Sequence, residues 1–448
     1  MGLRDKYDIS IAISAFQKGD FAAAEKVCKK ILSCDYSNGG ANYILALIAS
    51  QKGSSNLAIR YFRKAISFAP NYLNYRIALS SHYLETDKPW AAIKELEIVL
   101  YNEPNSIAAH TNIGTAFKKI GSLEQAIYHF DKACLLLRKP SAESSGNQEN
   151  QLKSQQTFFV SRHSKLEHDL QQLEFLYNKY PHKKDFKKYA EKLKDILLTF
   201  SKRNRNNNLA PFSDLEYAKV SYFYNKLLHR PVINNQKSIL GEHKFDINLN
   251  KKIQSHKNDI MIIDDFLSKD TLANAQQYCL ESTVWFDTKN NSRYLGAYLH
   301  DGFIPDFTLG INSALKEKWG DLFAGRVLKQ LWAFKYDSEG GGTAFHADDA
   351  SLNINLWITP DTSCLDPENS GLTIYPVTIP DGMPFSDYNN DISRLKDLIS
   401  AGSNEELKIP YKCNRAVIFR SKFIHKTSDY KFISGYRHRR INITFLFD

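Results

Sequence analysis

The chain has 448 residues, enough for two or three domains, and its 43% hydrophobic and 24% charged residues are typical of a globular protein in water. No apolar run approaches the ~20 residues that a membrane-spanning helix needs, and the N-terminus has no apolar signal region, so we expect a cytoplasmic protein without a membrane segment. The six cysteines form no C-x-x-C pair, which favours reduced thiols over a zinc site or a disulfide framework.

The net charge of +10 raises the question of a nucleic-acid partner. Residues 1–140 carry 18 basic and 12 acidic side chains, residues 141–230 carry 16 and 10, and residues 231–448 carry 25 and 27. An enzyme acting on nucleic acid usually concentrates positive charge around its site to neutralise phosphates. The distribution therefore argues against nucleic acid as the partner of the C-terminal region.

Internal repeats occupy the N-terminal third. Turn-forming and small residues recur every 34 residues in three registers: Gly19, Gly53, Asp87 and Gly121; Ala24, Ala58, Ala92 and Ala126; Ala12, Ala46, Ser80 and Gly114. This pattern predicts four units of two packed helices, with small side chains where the helices cross; the units are 5–38, 39–72, 73–106 and 107–140. Segments such as "QKGSSNLAIRYFRKAISFAP" and "KIGSLEQAIYHFDKA" resemble the tetratricopeptide (TPR) repeat, which implies an all-α solenoid with a groove for a protein or peptide partner.

Three further regions follow the repeats. Residues 141–157 are polar and without periodicity, which predicts a linker or loop. Residues 158–230 show apolar positions at helical spacing and are expected to form additional helices, either a degenerate repeat or a bridge. From residue 231 onward the residue pattern predicts β-strands, because short runs are rich in branched and aromatic residues. These runs are "IMIIDDFL", "QLWAFKYD", "LNINLWIT", "GLTIYPV", "NRAVIF" and "RINITFLF".

These regions together predict an α+β multidomain chain, in which the helical solenoid of residues 1–140 precedes an antiparallel barrel or jelly roll in residues 231–448.

A His-x-Asp string occurs twice, at His129–Asp131 and at His346–Asp348. The first lies in the second helix of the fourth repeat, where residues i and i+2 point to different faces and cannot chelate one ion. The second lies in an extended context, where i and i+2 project from the same face. With His425, just after the predicted strand "NRAVIF", the second string makes a two-histidine, one-carboxylate set that suits iron(II).

The order of these residues resembles the double-stranded β-helix 2-oxoglutarate oxygenases, and "FKYDSEGGGTAFHADD" resembles their prolyl-hydroxylase branch. The resemblance covers about residues 258–448. It implies that the triad binds iron(II), that 2-oxoglutarate and dioxygen are co-substrates, and that ascorbate is a further candidate cofactor. Arg440 would pair with the distal carboxylate of 2-oxoglutarate. Because a shift of one residue changes the face of a strand, Arg439 competes for this role.

Two weaker assignments follow from the same resemblance. Tyr336 and then Asn442 would contact the co-substrate. The strand "RINITF" also resembles that of AlkB-type nucleic-acid demethylases, but this chain has Leu446 where those enzymes place a second arginine, which weakens the nucleic-acid interpretation. The aromatic stretch 285–303, with Arg293, is a candidate for the substrate mouth, and a packed aromatic loop is the alternative.

The resemblance implies a dioxygenase that hydroxylates a C–H bond, with a peptide or protein side chain presented by the TPR groove as the expected substrate. Two alternatives stay open. The enzyme could act on a small molecule or an alkylated nucleobase while the repeats serve assembly. The chain could instead be a TPR interaction scaffold with an inactive oxygenase domain.

Overall fold

The computed structural model describes residues 8–140, 156–204, 207–233, 238–243, 259–288, 293–380, 382–389, 391–402 and 405–448. The chain divides into two compact units, 1–136 and 137–448. Most of the predicted linker, 141–155, lies outside the described residues, and its last two residues begin a short 3-10 helix, Gln156–Phe158, in which Phe158 is buried.

The N-terminal unit consists of consecutive helices joined by tight turns. Their bounds are α1 Ile9–Gln17, α2 Phe21–Cys34, α3 Gly39–Gln51, α4 Ser55–Phe68, α5 Asn74–Glu85, α6 Pro89–Asn102, α7 Ile107–Lys119 and α8 Leu123–Arg138. The 34-residue registers explain the pairing. All four turn positions have positive φ, between 53° and 81°, and every residue of the register that begins at Ala24 is fully buried. At Gly114, a Cβ would meet the ring of Phe130 at 2.8 Å, so only glycine permits that helix crossing.

The helices predicted for residues 158–230 are present: α9 His163–Lys179, α10 Lys184–Arg203 and α11 Asp214–Val220. They lie in the second unit, together with the β-rich region. Gln172 of α9 donates through Nε2 to the carbonyl of Ser282 at 3.0 Å, and the buried carboxylate of Glu281 accepts hydrogen bonds from Lys179 and Tyr180. These polar contacts join the helices to the β-rich part of the same unit.

All six predicted strand segments form strands. The strands are β1 Val160–Ser161, β2 Ala210–Pro211, β3 Ile260–Ile263, β4 Tyr294–Tyr298, β5 Leu328–Tyr336, β6 Glu339–Gly340, β7 Leu352–Trp357, β8 Leu372–Thr378, β9 Leu407–Ile409, β10 Ala416–Arg420, β11 Phe423–Thr427, β12 Tyr430–Lys431 and β13 Ile441–Phe447. Helices α12 Lys269–Glu281, α13 Thr308–Lys318, α14 Gly320–Phe323, α15 Phe385–Asn389 and α16 Ile392–Ala401 connect them.

Within the described residues the larger sheet has the order β3-β10-β7-β13-β5-β4, and a second has the order β11-β8-β9; all pairings are antiparallel. One hydrophobic cluster takes residues from both sheets, among them Trp357 and Phe419 from the larger and Ile374 and Phe423 from the smaller. The two sheets therefore pack against each other, with β7 and β13 in the middle of the larger one.

Candidate metal centre and adjoining cavity

The backbone places the two predicted histidine ligands directly opposite each other. His346 donates its N–H to the carbonyl of His425 at 3.0 Å, and the reverse bond is 2.8 Å. His425 lies in the middle of β11, whereas His346 forms an isolated bridge rather than part of a regular strand. The chain comes so close to β11 because residue 342 is glycine: a Cβ there would lie 1.9 Å from the carbonyl oxygen of Thr427.

The side chains of His346, Asp348 and His425 converge, each offering one ligand atom within 4.8 Å of the others. The two imidazole rings are 4.3 Å apart between centroids. Each Nδ1 lies against a backbone carbonyl two residues earlier in the chain, at 2.8 Å for His346 and 2.9 Å for His425. Because Nδ1 must donate in these bonds, Nε2 keeps its lone pair, which is the form that binds a metal.

The carboxylate of Asp348 is held in its charged form. Burial raises its pKa, but the interactions with His425 and His346 and the hydrogen bond from the amide of Asn353 outweigh burial, so the pKa lies below its usual value. Asp348 Oδ2 is 3.5 Å from His425 Nε2 and accepts a hydrogen bond of 2.6 Å from Asn353 Nδ2. A deprotonated carboxylate beside two imidazole lone pairs is a donor set that fits iron(II).

The other His-x-Asp string has a different environment. His129 and Asp131 lie in α8. The imidazole of His129 faces that of His110, with 2.9 Å between the Nδ1 atoms. Burial and the nearby His110 lower the pKa of His129 to about 4. The helix thus uses this histidine in packing, and among the described residues the metal-type cluster forms only at the second string.

The structure separates the two competing arginines. Arg439 forms an ion pair of 2.8 Å with Asp337 and bonds the amide oxygen of Gln171. Arg440 points the other way, is 1% exposed, and stacks 4.7 Å from the ring centroid of Tyr336. Its Nε donates to the carbonyl of Ser370 at 3.2 Å, while Nη1 has no hydrogen-bond partner among the described residues.

Arg440 and the triad face one interior. The hydroxyl of Tyr336, beneath Arg440, lies 3.3 Å from Thr427 Oγ1. Thr427 is two residues beyond His425 on β11 and so projects from the same face, roughly 7 Å along the strand. Thr427 was not predicted from the sequence, and the predicted contact of Tyr336 with the co-substrate stays a prediction.

Several buried polar atoms on the inward faces of β5, β7 and β13 have no hydrogen-bond partner among the described residues: Trp332 Nε1, Asn353 Oδ1, Asn355 Oδ1, Trp357 Nε1, Arg440 Nη1 and Asn442 Oδ1. Asn442 donates instead through Nδ2 to Thr444 Oγ1 at 3.2 Å. Unpaired buried polar atoms are rare and costly, so their concentration on one interior marks a space built for a polar ligand or water. The alternation of Asn353 and Asn355 in the apolar segment "LNINLWIT" was the available sequence signal.

An open cleft of about 540 Å³ leads to the ligand set. Its lining includes Tyr294, Tyr298, Trp332 and Phe334, and the charged side chains among its described lining residues are acids. The stretch 285–303, predicted as a substrate mouth, contributes part of the lining of this cleft. Its two tyrosines on β4 line the cleft, while Trp285 is buried under Lys335, with Nζ 4.3 Å from the ring centroid. Residues 289–292 lie outside the described part.

Within the described residues, no helix combines the length and apolar character that crossing a bilayer requires. A comparison with curated protein sequences gives no significant match. A family model described as "Tetratricopeptide repeat" matches residues 40–72, the second helix pair.

Solved structures with similar folds align with about a third of this chain. A mutant O-GlcNAc transferase of Thermobaculum terrenum is 21% identical over 31% of this chain and 27% of its own, with a TM-score of 0.28. MamA is 23% identical over 30% of this chain and 81% of its own, with a TM-score of 0.28. YrrB, a TPR protein with an unusual peptide-binding site, is 20% identical over 30% of this chain and 70% of its own, with a TM-score of 0.27.

This chain thus spans about a quarter of the transferase and about four fifths of MamA. The model match and the helix pairs with their 34-residue registers identify the N-terminal region as a TPR region, and a β-rich region follows it.

Proposed function

We propose that the β-rich region is a non-haem iron(II), 2-oxoglutarate-dependent dioxygenase with a double-stranded β-helix fold, and that it hydroxylates a C–H bond of a polypeptide side chain. One observation carries the proposal. The ligand atoms of His346, Asp348 and His425 converge within 4.8 Å. The buried guanidinium of Arg440, whose Nη1 has no hydrogen-bond partner among the described residues, supports it from beside Tyr336.

Iron(II) with 2-oxoglutarate and dioxygen supplies the oxidising power in such enzymes. The chain's own residues supply geometry. The carbonyls of Ala344 and Phe423 hold each histidine in the tautomer that ligates through Nε2. Arg440 would bind the distal carboxylate of the co-substrate through its fork of donors, with Tyr336 and Thr427 beside it. The aromatic rings of Tyr294, Tyr298, Trp332 and Phe334 line the approach to the triad.

The chemistry of the cleft favours a polypeptide over a nucleobase. A nucleic acid would bring phosphates, yet the charged side chains among the described lining residues are acidic, and Leu446 lines the cleft. Trp332 presents an unpartnered indole N–H, which suits an amide carbonyl. TPR regions commonly bind peptides, so the N-terminal unit fits a role in recruiting such a substrate.

The test is succinate release from 2-oxoglutarate by the full chain with iron(II), ascorbate and dioxygen. The wild-type chain should release succinate, and His346→Ala should abolish release because it removes a ligand. His129→Ala, the matched change in the other His-x-Asp string, should leave release within twofold of wild type. Absence of succinate and of iron binding in the wild-type chain would contradict the enzyme assignment.

A second arm tests the substrate class. Protein and nucleic-acid fractions of one cell extract, each freed of the other by nuclease or protease, are added to the same assay. The proposal expects the protein fraction to stimulate succinate release. Stimulation by the nucleic-acid fraction alone would favour the nucleobase alternative and overturn the polypeptide assignment.

A further inference from the structure

The three candidate ligands differ in whether they lie in a regular strand. His425 belongs to β11, but Asp348 lies in the segment 341–351, outside the regular strands. The amide N–H of Asp348 donates to the carbonyl of Ser421 at 2.9 Å, which fixes its main chain. That bond leaves the carboxylate itself free to turn, because the terminal torsion of an aspartate is broad and roughly two-fold.

Asn353 supplies the missing constraint. Its Nδ2 donates to Asp348 Oδ2 at 2.6 Å. Asn353 is fully buried on β7, which lies between β10 and β13 in the larger sheet, and it pairs with Phe419 on one side and Leu446 on the other. A side chain enclosed in this way has little rotational freedom. Its hydrogen bond therefore restricts the rotation of the Asp348 carboxylate, which lies outside the regular strands.

We propose that Asn353 is a positioning residue for the metal ligand Asp348, orienting its carboxylate toward the two histidines before any metal arrives. This inference rests on the proposed function, in which the triad binds a metal ion. In the absence of Asn353 the carboxylate would have to lose rotational freedom when the metal binds, and metal affinity would fall. Loss of an outer hydrogen-bond partner of a metal ligand typically weakens metal affinity about 10–100-fold.

A purely structural role makes a different prediction. If Asn353 only satisfies a buried carboxylate, its removal lowers the stability of the metal-free chain and leaves the affinity of the folded fraction unchanged. Affinity and stability must therefore be measured separately.

The experiment titrates cobalt(II), a spectroscopically visible substitute for iron(II), into the full chain without 2-oxoglutarate, and follows heat and visible absorption. Asn353→Leu removes the donor at similar volume, and Asn353→Ala is the second variant should the leucine perturb folding. The control is Asn42→Leu, the same exchange at a buried asparagine of α3 in the N-terminal unit. Circular dichroism gives the folded fraction for each.

We expect both Asn353 variants to bind cobalt(II) about 10–100-fold more weakly than wild type, with an altered absorption band, and Asn42→Leu to bind within about twofold. Equal affinity of wild type and both Asn353 variants would overturn the positioning role while leaving the proposed metal site intact. Failure of the wild-type chain to bind cobalt(II) would overturn the site and this inference together.

Discussion

The two His-x-Asp segments of this chain have the same spacing, but only one of them belongs to a cluster of possible metal ligands among the described residues. In α8, His129 packs against His110 and its pKa is depressed to about 4. In the extended segment, His346 and Asp348 converge with His425. The middle residue is fully buried in both segments, Phe130 in the first and Ala347 in the second.

Backbone geometry explains the difference. Successive residues of a helix are rotated by about 100°, so residues i and i+2 diverge by about 200° around the axis. In an extended chain they return to the same side. Burying the middle residue therefore directs both neighbours of Ala347 into one cavity, whereas the neighbours of Phe130 separate. A His-x-Asp string can therefore chelate one ion only where the backbone places both side chains on the same side, and the residue types alone are not sufficient.

The strongest way to break this comparison is to remove the carboxylate of each string. Asp348→Ala should weaken iron(II) or cobalt(II) binding by more than ~100-fold, beyond the loss typical of an outer-shell change, because a direct ligand is lost. Asp131→Ala should leave binding unchanged. Titration calorimetry on the full chain measures both, and a comparable loss in the two variants would refute the assignment of the ligand set.

A second pair of variants tests the adjacent arginines. Arg440→Ala should raise the 2-oxoglutarate concentration at half-maximal succinate release about 10–100-fold, since a hydrogen bond to a charged group contributes roughly 1.5–3 kcal/mol. Arg439→Ala removes an ion pair with Asp337 and should lower thermal stability instead. If Arg439→Ala shifted the half-saturation point and Arg440→Ala did not, the face assignment would be wrong.

The smallest expected effect concerns the pH response of the helical string. The pKa of His129 is about 4 in the folded state against 6.5 ordinarily. A histidine with a lowered pKa stabilises the fold above pH 6.5, and this contribution is lost as pH falls toward 4. The fourth repeat should lose about 1–2 kcal/mol between pH 7 and pH 5, allowing for partial exposure.

Hydrogen–deuterium exchange of peptides from α7 and α8 measures this loss, after correction for the intrinsic pH dependence of exchange. His129→Leu should make the opening free energy nearly independent of pH over that range. A pH response that persists in this variant would show that another group is responsible.

Much of the architecture was predictable because it depends on local periodicity. The 34-residue registers predicted the helix pairs, and Asp87 has a positive φ like the glycines at the same position of the other repeats. The six β-rich segments all became strands, since branched and aromatic residues favour the pleated, packed surface of a sheet. The last two residues of the predicted linker begin a 3-10 helix that ends at the buried Phe158.

By itself, the sequence determined the residue types, their order along the chain and the backbone class of each His-x-Asp string. Only the tertiary structure shows that Arg439 pairs with Asp337 while Arg440 lies against Tyr336, because the face of a residue at the start of a strand depends on the register with the neighbouring strands. It also decided which residues support the ligands. Asn353 follows Asp348 closely in sequence, yet their hydrogen bond depends on how the irregular segment folds back over the central strand, and no local pattern encodes that.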